Sequence, residues 1–210
     1  MDREGNRVEG GMVMACKIVE AGAVAPEFVL RDQFDQDVAL RDYRGKYVVL
    51  AFHPLAWTPV CADQMRTLDR HRGLFDKFGA VCFGVSVDPG PTKKAWREHL
   101  GLKSLRLLSD FWPHGAVSQA YGILREEGFS ERALVVVDPE GTVIYSRIFP
   151  LGESPSLKSL AFFLKDITGS EVDPNVEISQ CLVDAQGGMV CMPDSRNVGL
   201  EDTRPGEMGG

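Results

Sequence analysis

The chain has 210 residues, 44% of them hydrophobic and 25% charged, which is the composition of an ordinary globular domain. Its net charge of −7 presents no basic face for nucleic acid, and no apolar run approaches the ~20 residues that span a bilayer. The opening stretch MDREGNRVEGGMVMACKIVE is too charged, and its apolar part too short, for a secretory signal, so the sequence leads to the expectation of a cytoplasmic protein. The cysteines, Cys16, Cys61, Cys82, Cys181 and Cys191, are too sparse for a disulfide-stapled scaffold and contain no C-x-x-C pair. Neither a zinc site nor a resident cofactor is indicated.

Residues 1–22 are polar and glycine-rich, and are read as a flexible segment ahead of a domain over 23–168. Phe28 to Leu30 and Asp37 to Leu40 read as a hairpin, and Tyr47 to Phe52 as a buried strand. A helix is predicted from Pro59 to about Phe78, because Cys61, Met65, Leu68, Phe75 and Phe78 share one face and Gly79 can close it. Ala80 to Val87 is a second buried strand, in which Cys82 reads as a small core hydrophobe. Thr92 to Leu100 is predicted as a helix capped by Thr92, Arg106 to Leu108 as a strand, and the neighbourhood of Gly115 to Tyr121 as a short helix. Ala133 to Val137 and Thr142 to Phe149 flank the turn Asp138-Pro139-Glu140-Gly141, and Ser156 to Ile167 is helical.

Strands alternating with helices and ending in an antiparallel hairpin argue for an α/β sandwich around a mixed sheet, an order that the thioredoxin-like fold fits. Residues 169–210 are rich in glycine, proline and charge, with only Val176 to Ile178 and Cys181 to Val183 packable. They read as a C-terminal arm rather than a second domain.

The chemistry centres on VLAFHPLAWTPVCADQM, residues 49–65. A buried strand runs into Pro54 and a loop, then Thr58-Pro59 starts a helix with a hydroxyl at the N-cap and proline at the first helical position. Cys61 therefore falls in the first helical turn, where unpaired amides and the positive end of the helix dipole favour a thiolate. A structural core cysteine is the alternative. A thiolate that is to act as a nucleophile needs help beyond acidity. Lowering a thiol pKa from about 8.5 to about 6 raises the thiolate fraction roughly 30-fold at neutral pH. The accompanying loss of nucleophilicity costs roughly 13-fold. Positioned donors must supply the rest. The candidates are the Thr58 hydroxyl, the amides of Val60 and Cys61, and Arg132, which precedes a strand able to run beside Tyr47 to Phe52. His53 could act as a base, but a packing role is the preferred reading.

The spacing Pro54-x-x-x-Thr58-x-x-Cys61 resembles the active-site signature of the peroxiredoxins. The likeness extends over residues 26 to about 167, through SERALVVVD around Arg132, Trp96 in KKAWREHLGL, Ser109-Asp110 and Tyr121-Gly122. It implies a thiol-dependent peroxidase that reduces hydrogen peroxide and organic hydroperoxides through a cysteine sulfenic acid. In that implied site Cys61 is the nucleophile, Thr58 and Arg132 stabilise charge, and Pro54 shields the thiolate. Gln64 stands where many members carry a glutamate, so it can orient Arg132 without adding charge. The stretch Val190-Cys191 with Pro193 resembles the surroundings of a resolving cysteine supplied by the other subunit of a dimer. Cys191 is favoured over Cys181, with an external thiol as the alternative. A thioredoxin-like reductant and a homodimer or larger assembly are implied. A peroxide-sensing redox protein and a non-catalytic thioredoxin-like or chaperone module remain the competing classes.

Overall fold

The computed structural model describes residues 17–170, 179–183 and 189–193. Cys16 and the stretch Val176 to Ile178 lie outside the described residues. In chain order the elements are β1 (Val29–Arg31), β2 (Asp37–Ala39), a 3-10 turn (Leu40–Tyr43), β3 (Tyr47–Phe52), α1 (Pro59–Arg70), α2 (Arg72–Lys77), β4 (Ala80–Ser86) and α3 (Gly90–Leu100). They continue with β5 (Arg106–Ser109), α4 (Ala116–Ala120), β6 (Arg132–Val137), β7 (Val143–Phe149), α5 (Leu157–Thr168), β8 (Ser179–Val183) and β9 (Met189–Pro193).

Seven strands form one mixed sheet in the order β2-β1-β5-β4-β3-β6-β7. β3, β4 and β5 run parallel, whereas β6 joins β3, and β7 joins β6, antiparallel. The expected α/β sandwich around a mixed sheet is therefore present. Each face of the sheet carries its own core. Val49 and Ala51 of β3, with Leu134 and Val136 of β6, pack with Cys61, Met65 and Leu68 of α1, Trp96 and Leu100 of α3, and Leu160 and Leu164 of α5. Val48, Leu50 and Phe52 turn the other way, onto Phe28, Leu30, Val117 and Tyr121.

Strand parity then aims the polar residues at the strand ends. His53, Ser86 and Arg132 continue the rows of Ala51, Gly84 and Leu134, so all three fall on the α1 side of the sheet. Gly84 sets how close α1 comes. A Cβ there would overlap Met65 Sδ and lie 2.8 Å from Leu107 Cδ2, so any larger residue would make both side chains shift.

Three expectations need correction. The single helix over 59–78 is two, because the backbone leaves helical geometry at His71 (φ −98°, ψ 21°), whose ring Nδ1 bonds the Thr67 carbonyl at 2.8 Å. α3 begins at Gly90 rather than Thr92, with Pro91 in its first turn and no side-chain cap, since a proline there needs no amide partner. Lys17 to Gly22, read as part of a flexible segment, is tied to the domain: Val19 N–H donates to the Tyr121 carbonyl at 3.0 Å and Gly22 N–H to that of Val143 at 2.7 Å.

Candidate active site

β3 and β6 pair so that Phe52 faces Ala133, which sets Arg132 beside the loop that leaves β3. Arg132 is 1% exposed. Its Nη2 donates to Cys61 Sγ at 3.3 Å and to the Leu151 carbonyl at 2.9 Å; Nη1 donates to Gln64 Oε1 at 2.6 Å, and Nε to the Leu151 carbonyl at 3.2 Å. Gln64 does orient the arginine as its amide allows, one helical turn beyond Cys61. Burying a guanidinium is costly without an anion nearby. Among these acceptors, only the sulfur can take a negative charge.

Thr58 is the N-cap of α1 by backbone conformation (φ −99°, ψ 143°), and its carbonyl accepts the Ala62 amide at 3.0 Å. Its hydroxyl does not cap the helix; it donates to the Leu55 carbonyl at 3.1 Å. The first-turn amides at Cys61 thus have no side-chain competitor from Thr58. The preceding residue, Trp57, sits at φ 65°, a left-handed conformation that a bulky residue adopts only when its surroundings hold it. Pro54 is buried at the start of this loop. His53 is fully buried, packs at a tilt against Trp96 with centroids 5.2 Å apart, and has no hydrogen-bond partner on either ring nitrogen among the described residues. Burial first, then the charges of Lys93 and Arg132, push its pKa well below the usual histidine range. His53 is neutral and packs, as the sequence suggested.

A buried sulfur at a helix start, gripped by a buried arginine, sits within a chain whose residues 21–146 match the family model described as AhpC/TSA. The chain belongs to the AhpC/TSA family, the peroxiredoxins. Alkyl hydroperoxide reductase E of Mycobacterium tuberculosis is 44% identical over 138 residues, covering 65% of this chain and 90% of its own. Mouse peroxiredoxin-2 is 37% identical over 153 residues, covering 67% of this chain and 76% of its own. Among solved structures, the reduced 2-Cys peroxiredoxin of Plasmodium vivax superposes with a TM-score of 0.66 at 28% identity, over 71% of this chain and 96% of that one. As a peroxiredoxin the chain is a thiol-dependent peroxidase with a thioredoxin-like fold.

Other parts of this peroxiredoxin site were not singled out from the sequence. The Leu151 carbonyl, which takes two of the arginine's bonds, follows β7 and carries no side-chain signal. Asp88 Oδ2 accepts the Ala56 amide at 2.8 Å, and the Ser86 hydroxyl donates to the same oxygen at 2.6 Å. Lys93, fully buried, donates from Nζ to Ser86 Oγ at 2.6 Å. A signal for Lys93 did exist, because the spacing Lys93, Trp96, Leu100 puts it on the buried face of α3.

The remaining cysteines divide. Cys82 lies in β4 opposite Val49, half-buried, and burial pushes its thiol pKa well above the usual cysteine range, as suits a core residue. Cys181 and Cys191 occupy directly opposed register positions in the antiparallel pair β8–β9. Among the described residues no cluster of His, Cys, Asp and Glu is arranged to hold a metal ion, and no helix is long and apolar enough to cross a membrane.

Proposed function

We propose that Cys61 is the thiol that attacks peroxide, with Arg132 and Thr58 stabilising the transition state and Pro54 screening the sulfur from water. The sulfur displaces hydroxide from hydrogen peroxide, or alkoxide from an organic hydroperoxide, and becomes a sulfenic acid. The observation that carries this reading is the 3.3 Å contact between Arg132 Nη2 and Cys61 Sγ in a buried site. The same guanidinium can reach a peroxide oxygen bound at the sulfur, so it acts on the charge as it moves onto the leaving oxygen. Thr58 supports this only if its hydroxyl turns from Leu55 towards the substrate. Stopped-flow oxidation of the reduced protein by hydrogen peroxide, with thiols counted before and after, tests it. Loss of the Cys61 thiol together with peroxide is expected; unchanged thiols would overturn it.

The cycle closes through the C-terminal arm over 169–210, with Cys191 of a second subunit of a homodimer or larger assembly condensing with the sulfenic acid, and a thioredoxin-like protein in the cytoplasm as reductant. The opposed positions of Cys181 and Cys191 favour a second reading, in which one tail thiol condenses with the Cys61 sulfenic acid, releasing water, and the other then displaces the Cys61 thiol to leave a disulfide within the tail. Directly opposed residues of an antiparallel pair have Cα atoms ~4.5–5.5 Å apart, inside the span of a disulfide. Non-reducing gels after stoichiometric peroxide separate the two. A disulfide dimer lost in Cys191→Ser but kept in Cys181→Ser supports the first, and a disulfide confined to one chain supports the second.

A further inference from the structure

We propose that Lys93 is a positioning residue for peroxide reduction: it pins the loop that presents Cys61, through Ser86 and Asp88, and adds a second positive charge to those that act on the sulfur. This rests on the reading of Cys61 as the attacking thiol.

A fully buried lysine is rare and costs free energy unless it is used. Lys93 is 0% exposed, and apolar packing alone does not require an ammonium there. Its bonds run in one direction. Lys93 Nζ donates to Ser86 Oγ at 2.6 Å, Ser86 Oγ donates to Asp88 Oδ2 at 2.6 Å, and that oxygen accepts the Ala56 amide at 2.8 Å. The single hydroxyl proton of Ser86 is engaged by Asp88, so the serine can only accept from Lys93. The chain ends at Ala56, one residue before left-handed Trp57 and two before Thr58. A backbone outlier persists only where its neighbours over-determine it. The Lys93–Ser86–Asp88 chain is one such support, and the tilted ring contact of Trp57 with His99, centroids 5.1 Å apart, is another.

The charge has a second use. The groups facing Lys93 are Ser86 and Asp88 from β4 and its following loop, Asp110 after β5, His53 after β3 and Cys61 on α1. Asp110 is committed to α4, accepting from the Val117 and Ser118 amides and the Ser118 hydroxyl. His53 is neutral and so contributes no charge. Burial lowers the Lys93 pKa to about 8 against the pull of Asp88, Asp110 and Cys61, so the ammonium is still the main form at pH 7. Arg132 touches the sulfur directly, whereas Lys93 acts on it through space.

The test compares Lys93→Met, which keeps length and removes charge, with Ser86→Ala, which cuts the pin and keeps charge. The second-order rate with hydrogen peroxide is measured by stopped flow from pH 5 to 9, with urea unfolding on the same samples. Lys93→Met is expected to be at least as stable as the wild type, yet about tenfold slower at pH 7, its acid limb moved up by about one pH unit, the effect of one neighbouring charge. Ser86→Ala is expected to slow the reaction with the limb unmoved. A wild-type rate and profile in Lys93→Met overturns the inference, as does a slower rate that merely follows lost stability. Cys61→Ser is the control: if it still turns over peroxide, the Cys61 reading has failed instead.

Discussion

The two ends of helix α1 are built in opposite ways. At its C-terminal end Asp69 accepts from the amides of Lys103, Ser104 and Leu105 and from the Ser104 hydroxyl, at 2.7–3.0 Å. Burial raises the Asp69 pKa, but those hydrogen bonds outweigh it and hold the carboxyl below the usual aspartate range. Acceptors there are matched to donors, and the end is locked to the loop before β5. At the N-terminal end Thr58 gives no side-chain cap, Trp57 is left-handed, and His53 and the Gln64 Nε2 lack partners among the described residues. Polar groups there are left unmatched among the described residues. The proposed function places peroxide at the end whose first-turn amides no side chain caps, with the Asp69 end keeping the helix in place.

Substitutions at the two ends should separate rate from stability. Arg132→Met should give the largest loss, about 10²-fold or more in the second-order rate with peroxide, the usual cost of removing a charge-stabilising donor. A normal rate in stopped flow would show that the guanidinium serves packing alone. Thr58→Val should follow, at about 10-fold to 100-fold, because the hydroxyl must leave Leu55 before it can donate to substrate. If Thr58→Val matches the wild type, the Cys61 amides supply that donor by themselves.

Asp69→Ala should move stability by about 1–2 kcal/mol and leave the rate of folded protein unchanged, since it removes a capping carboxylate far from the sulfur. The pH dependence fixes its sign. Because the folded-state pKa of Asp69 is depressed, its contribution is present above the unfolded aspartate value of about 3.9 and is lost as pH falls through the lower folded value. Urea unfolding should thus show the full difference at pH 7 and a shrinking one below about pH 4. A pH-independent difference would mean that the side chain matters only through its packing.

The site was legible in the sequence where a local rule decided it. β3, the proline-punctuated loop and the start of α1 follow from an apolar run and Thr58-Pro59, and the parity of SERALVVVD sends Arg132 to the side of Leu134 and Val136. What escaped depends on individual side-chain bonds, local or distant, that no periodicity announces. The break at His71 comes from the His71 ring bonding to Thr67, while Asp69, just before it, is held by residues 103–105. The Thr58 hydroxyl was expected to accept from the first-turn amides and instead donates to the Leu55 carbonyl, a choice between two local roles that propensity does not rank. Lys93 was passed over because lysines are nearly always solvated, and only its helical spacing to Trp96 and Leu100 marks it as buried.

The central claim is that peroxide meets sulfur at Cys61, the residue that Arg132 holds. The reduced wild-type protein treated with one equivalent of hydrogen peroxide in the presence of a sulfenic-acid-trapping dione, then mapped by mass spectrometry, tests it most directly. The account predicts the adduct on Cys61, with Cys82 unmodified and the adduct strongly reduced in Arg132→Met. An adduct on Cys82, or a Cys61 adduct formed equally fast in Arg132→Met, would contradict it.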